Sequence, residues 1–89
     1  MEIERLRDAI DGIDREITAL LLKRMALSAE VAAYKQANGI PVLDKAREEA
    51  LLKKIASLSG DMSEYTGEIY LKILKQSKAY QEKLIKDKA

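Results

Sequence analysis

LLLKRMALSAEVAAYK, Leu20 to Lys35, has an apolar helical face interrupted by a permanent cation, Arg24, with Lys35 three turns further along nearly the same face. Outward from this stretch the 3-4 spacing persists. It runs through Ile3, Leu6, Ile10, Ile13, Ile17 and Leu20 on one side, and Leu27, Val31 and Tyr34 on the other. Read as heptads, these residues occupy the a and d positions, and Arg24 falls on an a. Nothing breaks the pattern before Asn38-Gly39, a C-terminal stop signal followed by Pro41. Gly12 lies off the seam, where it costs about 1 kcal/mol relative to Ala. The spacing predicts one helix from about residue 3 to 38.

Two shorter helices follow. Asp44 is the expected N-cap of the second, which runs through Arg47, Leu51, Ile55 and Leu58 to an end near Ser59-Gly60. A third is expected to start around Asp61 or Ser63, where Asp61 and Glu64 have capping-box spacing. It carries Tyr65, Ile69, Ile73, Ser77 and Leu84 towards a lysine-rich tail that reads as frayed. With no internal repeat, low-complexity tract or linker, residues 1–89 read as a single all-α domain.

Composition removes several classes of function. The 16 basic and 15 acidic residues leave the chain nearly neutral, which argues against an electrostatic grip on nucleic acid or an anionic membrane. Cys and His are absent, excluding thiol nucleophiles, imidazole bases, typical zinc sites and disulfides. An intracellular, cytoplasmic chain is the resulting expectation. No apolar run is long enough to span a bilayer, and the charged N-terminus does not read as a signal peptide. Abundant Ala, Leu, Ile, Lys and Glu, without Trp or Phe, is a composition of helical domains.

Length then bears on assembly. A helix from residue 3 to 38 is about 54 Å long, whereas a compact monomer of this size has a diameter near ~30 Å. The helix must project beyond its own domain, and its apolar stripe there needs cover. The same helix of a second chain is the simplest cover, giving an intertwined symmetric homodimer.

Eleven residues separate Arg24 from Lys35, which brings them within about 20° of one direction and about 16 Å apart along the axis. One reading is structural: Arg24 fixes register and Lys35 snorkels. The other is that the two cations bracket a small anion. Further polar residues favour the second. Ser77 and Gln81 are i, i+4 neighbours on the third helix, and Asp44, Arg47 and Glu48 crowd one turn of the second. Each has an innocent explanation as a cap, a solvated face or surface filler. Together they place polar groups on the inward side of three helices, and burying them without a ligand leaves orphans at about 1–3 kcal/mol each. A polar pocket between the helices accounts for them better.

At this point a resemblance applies. Leu6-Arg7, Ile10, Ile13-Asp14, Leu20-Leu21, Arg24, Val31 and Lys35, then IPVLDKAREE, then Ser77 and Gln81, resemble the all-α chorismate mutase family over essentially the whole chain. The resemblance implies three helices in an intertwined homodimer with two sites. It also implies conversion of chorismate to prephenate, on the route to phenylalanine and tyrosine. That unimolecular rearrangement needs no nucleophile, base, metal or cofactor. It needs an extended dicarboxylate held in a chair-like conformer and charge stabilised on the ether oxygen.

By the family pattern Arg7, Arg24 and Arg47 hold the two carboxylates, since the guanidinium fork binds them bidentately, and Ser77 assists at one. Lys35 and Gln81 donate to the ether oxygen. Glu48, with the Asp44 backbone or side chain, binds the ring hydroxyl. Arg7 lies about 25 Å along the helix from Arg24, too far for one small ligand, and is therefore expected in the partner's site. Two other classes compete. One is an isochorismate pyruvate lyase on the same fold, whose relatives are expected to lack the Glu48 acceptor. The other is a non-catalytic helical dimerisation module, which has no reason to carry Ser77 and Gln81.

Overall fold

A computed structural model describes residues 1–88; Ala89, the last residue of the expected single domain, lies outside the described residues. The fold is all-α: α1 (Glu2–Ala37), α2 (Lys45–Ser59) and α3 (Ser63–Lys88), with one 3-10 turn, Gly60–Met62, before α3. Each boundary has a local cause. At the end of α1, Gly39 takes a left-handed conformation with φ 63°. Its N–H donates to the Gln36 carbonyl and that of Ile40 to the Lys35 carbonyl, a Schellman stop. Asp44 caps α2 as expected, its carboxylate accepting from the Arg47 N–H at 3.0 Å.

The third helix starts at Ser63, one of the two expected positions, but differs from expectation in its cap and at its far end. Asp61 sits inside the 3-10 turn rather than capping a helix. The junction is instead tied by the Thr66 hydroxyl, which donates to Ser59 Oγ at 2.6 Å, across the corner between α2 and α3. The lysine-rich tail stays helical to Lys88, with Lys86 and Lys88 in the last turn, where cations favour the negative helix end.

α3 runs beside α1 in the same direction, with Ile69 and Ile73 near Leu21 and Met25, and Ser77 meeting Ser28. α2 runs back along α3, joined to it at one end by Ser59 and Thr66 and at the other by Glu48 and Lys78. The result measures 55 × 26 × 14 Å, and its radius of gyration of 16.2 Å exceeds the roughly 12 Å of a compact 89-residue domain.

Among the described residues Ala32, at 1% exposure, is the one buried apolar residue. The chain exposes 7215 Å², against about 5200 Å² for a globular protein of 10.0 kDa, an excess near ~2000 Å². Much of it is the α1 seam: Ile3, Leu6, Ile10, Ile13, Ile17 and Leu20 are all exposed. None of the described helices is long and apolar enough to cross a membrane.

Candidate active site

The second half of α1, the first turn of α2 and the later part of α3 enclose a cavity of about 290 Å³. Seven of the residues expected at a site line it: Arg24 and Lys35 from α1, Asp44, Arg47 and Glu48 at the start of α2, and Ser77 and Gln81 from α3. Val31, Leu51 and Leu74 give it apolar walls. Arg7 is not among the lining residues; it stands exposed on the first turns of α1. A helical pitch explains the α1 contribution, since positions 24, 28, 31 and 35 recur on one face.

Sequence reasoning missed three participants. Ser28 is buried on α1, and its hydroxyl lies 2.8 Å from that of Ser77. Lys78 ion-pairs with Glu48 at 3.0 Å, both side chains partly sheltered at the cavity wall. Val42 supplies a carbonyl that accepts from Lys35 Nζ at 2.6 Å, tying the loop after α1 to the site. Ser28 shares the spacing of Arg24 and Lys35, a signal present in the sequence. The other two depend on register between helices and on loop path, which no local pattern carries.

Arg24, Lys35, Arg47 and Lys78 outnumber the carboxylates of Asp44 and Glu48, so the lining is net positive and suits a small anion. Among the described residues no group of three or more carboxylates gathers that could hold a metal ion. The Asp44 carboxylate is committed to its cap, and Lys35 keeps two of its three N–H donors free of Val42. Gln81 donates from Nε2 to Ser77 Oγ at 3.3 Å, while its Oε1 is buried with no partner. A buried orphan of that kind costs about 1–3 kcal/mol. The arrangement is a set of fixed donors around a small cavity. It is equipped to hold and polarise an anionic ligand, with Glu48 positioned to accept a hydroxyl proton in a hydrogen bond.

The chain matches the family described as chorismate mutase type II over residues 6–82. It is 35% identical over 83 residues to a bifunctional chorismate mutase/prephenate dehydratase of Buchnera aphidicola subsp. Acyrthosiphon pisum, covering 90% of this chain and 22% of that protein. A T-protein of Enterobacter agglomerans is 32% identical over 79 residues, 85% of this chain and 21% of the relative. The chain thus spans about a fifth of the length of these two relatives. A chorismate mutase of Methanocaldococcus jannaschii is 29% identical over 89 residues, 97% of this chain and 90% of that protein. No solved structure matches significantly.

Proposed function

The chain belongs to the chorismate mutase type II family, and from that membership we propose that it converts chorismate to prephenate, residues 1–89 working as one domain of a cytoplasmic homodimer. The observation that carries this reading is the convergence of Arg24, Lys35, Arg47, Glu48 and Gln81 on one small, net-positive cavity. Arg24 and Arg47 hold substrate carboxylates, joined by Arg7 of the partner subunit. Lys35 and Gln81 donate to the ether oxygen as its bond to carbon breaks and charge accumulates there. Glu48, oriented by Lys78, accepts from the ring hydroxyl. Its place in the cavity favours rearrangement over pyruvate elimination. Ser77, whose hydroxyl accepts from Gln81 and lies 2.8 Å from that of Ser28, assists at one of the carboxylates.

Catalysis on this reading is positional. Fixing a flexible dicarboxylate in a reactive chair and presenting donors where charge develops lowers the barrier without a covalent step.

The dimer is supported by the bare α1 seam, the excess surface and the scarcity of buried apolar residues. A two-fold pairing of α1 segments covers the stripe and carries Arg7 towards the other subunit's cavity. The purified protein should consume chorismate, followed by its absorbance, with prephenate as product. It should behave as a dimer at low micromolar concentration, with a melting temperature that rises with protein concentration. Chorismate left unchanged removes the catalytic reading, and a fully active monomer removes the shared site.

A further inference from the structure

Among the described residues, the ion pair that links two helices is Lys78 with Glu48; the others are local to the start of α1. Lys78 Nζ lies 3.0 Å from Glu48 Oε2 and 3.3 Å from Oε1, so the ammonium straddles both carboxylate oxygens. Lys78 shares the cavity face of α3 with Leu74 and Gln81, and Glu48 shares that of α2 with Asp44 and Leu51. The other cations of the lining show the complement. Among the described residues Arg24, Lys35 and Arg47 form no ion pair. Lys35 donates to the Val42 carbonyl, and the Asp44 carboxylate is occupied by the Arg47 backbone N–H. The cavity therefore holds three unpaired cations, and its one carboxylate without a capping duty is taken by a fourth.

We propose that Lys78 is a positioning residue that keeps the other cations of the site unpaired: by holding Glu48, it stops that carboxylate from turning onto Arg24, Lys35 or Arg47. The inference rests on the chorismate mutase reading, in which those three cations meet the carboxylates and ether oxygen of the substrate. With side chains 33% and 22% exposed, the pair adds little as a stabiliser, and the corner of α2 and α3 has its own tie in Ser59 and Thr66. Its consequence lies in the charges it leaves free. Glu48 shares a cavity of about 290 Å³ with the three cations, where opposite charges attract more strongly than in water. Deprived of Lys78, its carboxylate pairs with one of them, and the substrate must displace it before binding. That cost falls equally on the bound substrate and the transition state, so it raises KM and leaves kcat nearly alone. A Lys78 that simply attracted the dianionic substrate would act whether or not Glu48 were charged.

A double-mutant cycle separates the two roles. Prephenate formation is measured for the wild type, Lys78→Met, Lys78→Arg, Glu48→Gln and the Lys78→Met/Glu48→Gln pair. Lys78→Met is expected to raise KM about tenfold with kcat within about twofold, while Lys78→Arg, which keeps the charge, stays near the wild type. In the Glu48→Gln background Lys78→Met should change KM by less than about twofold, because no carboxylate is left to turn. An equal rise in both backgrounds, or no rise in the first, overturns the proposal. Should Lys78→Met not fold, Lys78→Gln, which keeps a polar side chain, takes its place. The side-chain NMR signals of Arg24 and Arg47 Nε–H and Lys35 Nζ give a reading that needs no substrate. At least one should shift in Lys78→Met and return when Glu48→Gln is added. Signals unmoved by Lys78→Met, or a shift that persists in the pair, overturn the inference on their own. A wild type that forms no prephenate refutes the function and leaves these signals to decide the role of Lys78.

Discussion

From Arg24 onward α1 is the wall of a cavity, with Ser28 and Ala32 buried against α3, whereas residues 2–23 of the same helix contain no buried side chain. Both halves keep the same 3-4 spacing, so periodicity alone does not distinguish them. The difference lies in side-chain size. The half packed within the chain buries small residues, Ser28 and Ala32, with Ala29 half-buried beside them, which let α3 approach closely. The bare half presents Ile10, Ile13, Ile17 and Leu20, bulky residues that suit a wider gap, as in the proposed dimer. An apolar stripe reports which face of a helix is covered; the size of its residues reports how near the covering element comes.

The largest effect should come from the cations that the two halves contribute. Arg7→Ala and Arg24→Ala should each lower kcat/KM by about 10²- to 10³-fold, as for a lost charged donor at a developing charge. Mixing the two variants under subunit exchange should restore activity to about a quarter of the sites, because one site of each heterodimer keeps both arginines. No recovery despite proven exchange places both arginines in one chain's site or makes Arg7 structural.

Next in size is a contrast between two exposed residues of the bare half. Ile13, on the seam, is 55% exposed, and Leu22, on the opposite face, is 67% exposed. Ile13→Glu should destabilise the assembly by about 2–4 kcal/mol and shift sedimentation towards monomer, as expected for an unpaired charge at a buried interface. Leu22→Glu should change stability by less than about 0.5 kcal/mol, despite removing the more exposed side chain. Equal behaviour of the two erases the distinction between seam and outer face.

A smaller effect is expected in the packed half. Gln81→Glu keeps the shape but donates only while its carboxyl is protonated. An ionised group there faces an oxygen that is itself becoming negative. Arg24 and Lys35 from α1, Arg47 and Glu48 from α2 and Lys78 on α3 surround the position. Activity of the variant should fall as pH rises, to about 10²-fold below wild type at neutral pH, while the wild-type profile stays nearly flat. A flat profile with full activity removes Gln81 from the ether contact. The smallest effect should be Gly39→Ala at the stop between the halves and α2. The positive φ penalises any side chain, so a loss of about 1 kcal/mol in thermal or denaturant unfolding is expected, with kcat preserved.

Much of this was legible in the sequence because it is local. Asn38-Gly39, Asp44 and Ser59-Gly60 mark helix ends through backbone chemistry that neighbours alone dictate, and the helix limits fall within a residue or so of those marks. The polar residues of the cavity stood out because they interrupt apolar rows. Asp61 misled because capping-box spacing is also compatible with a 3-10 turn when Gly60 precedes it in a left-handed conformation. The Lys78–Glu48 pair was invisible because it depends on how α2 lies against α3. Ser28 was passed over because a serine among alanines is tolerated in any helix; only its meeting with Ser77 singles it out.

The 14 Å thinness of the chain reaches into kinetics. With one buried apolar residue among those described, the chain has little to hold it alone, so on the dimer reading collapse and encounter are expected to be one event. Refolding should then follow second-order kinetics, its half-time shortening in proportion as concentration rises, where a self-sufficient domain shows a constant half-time. If the proposed dimer holds, the structure is acquired by pairs of chains, and synthesis rate then governs how long each newly made chain waits with its isoleucines exposed.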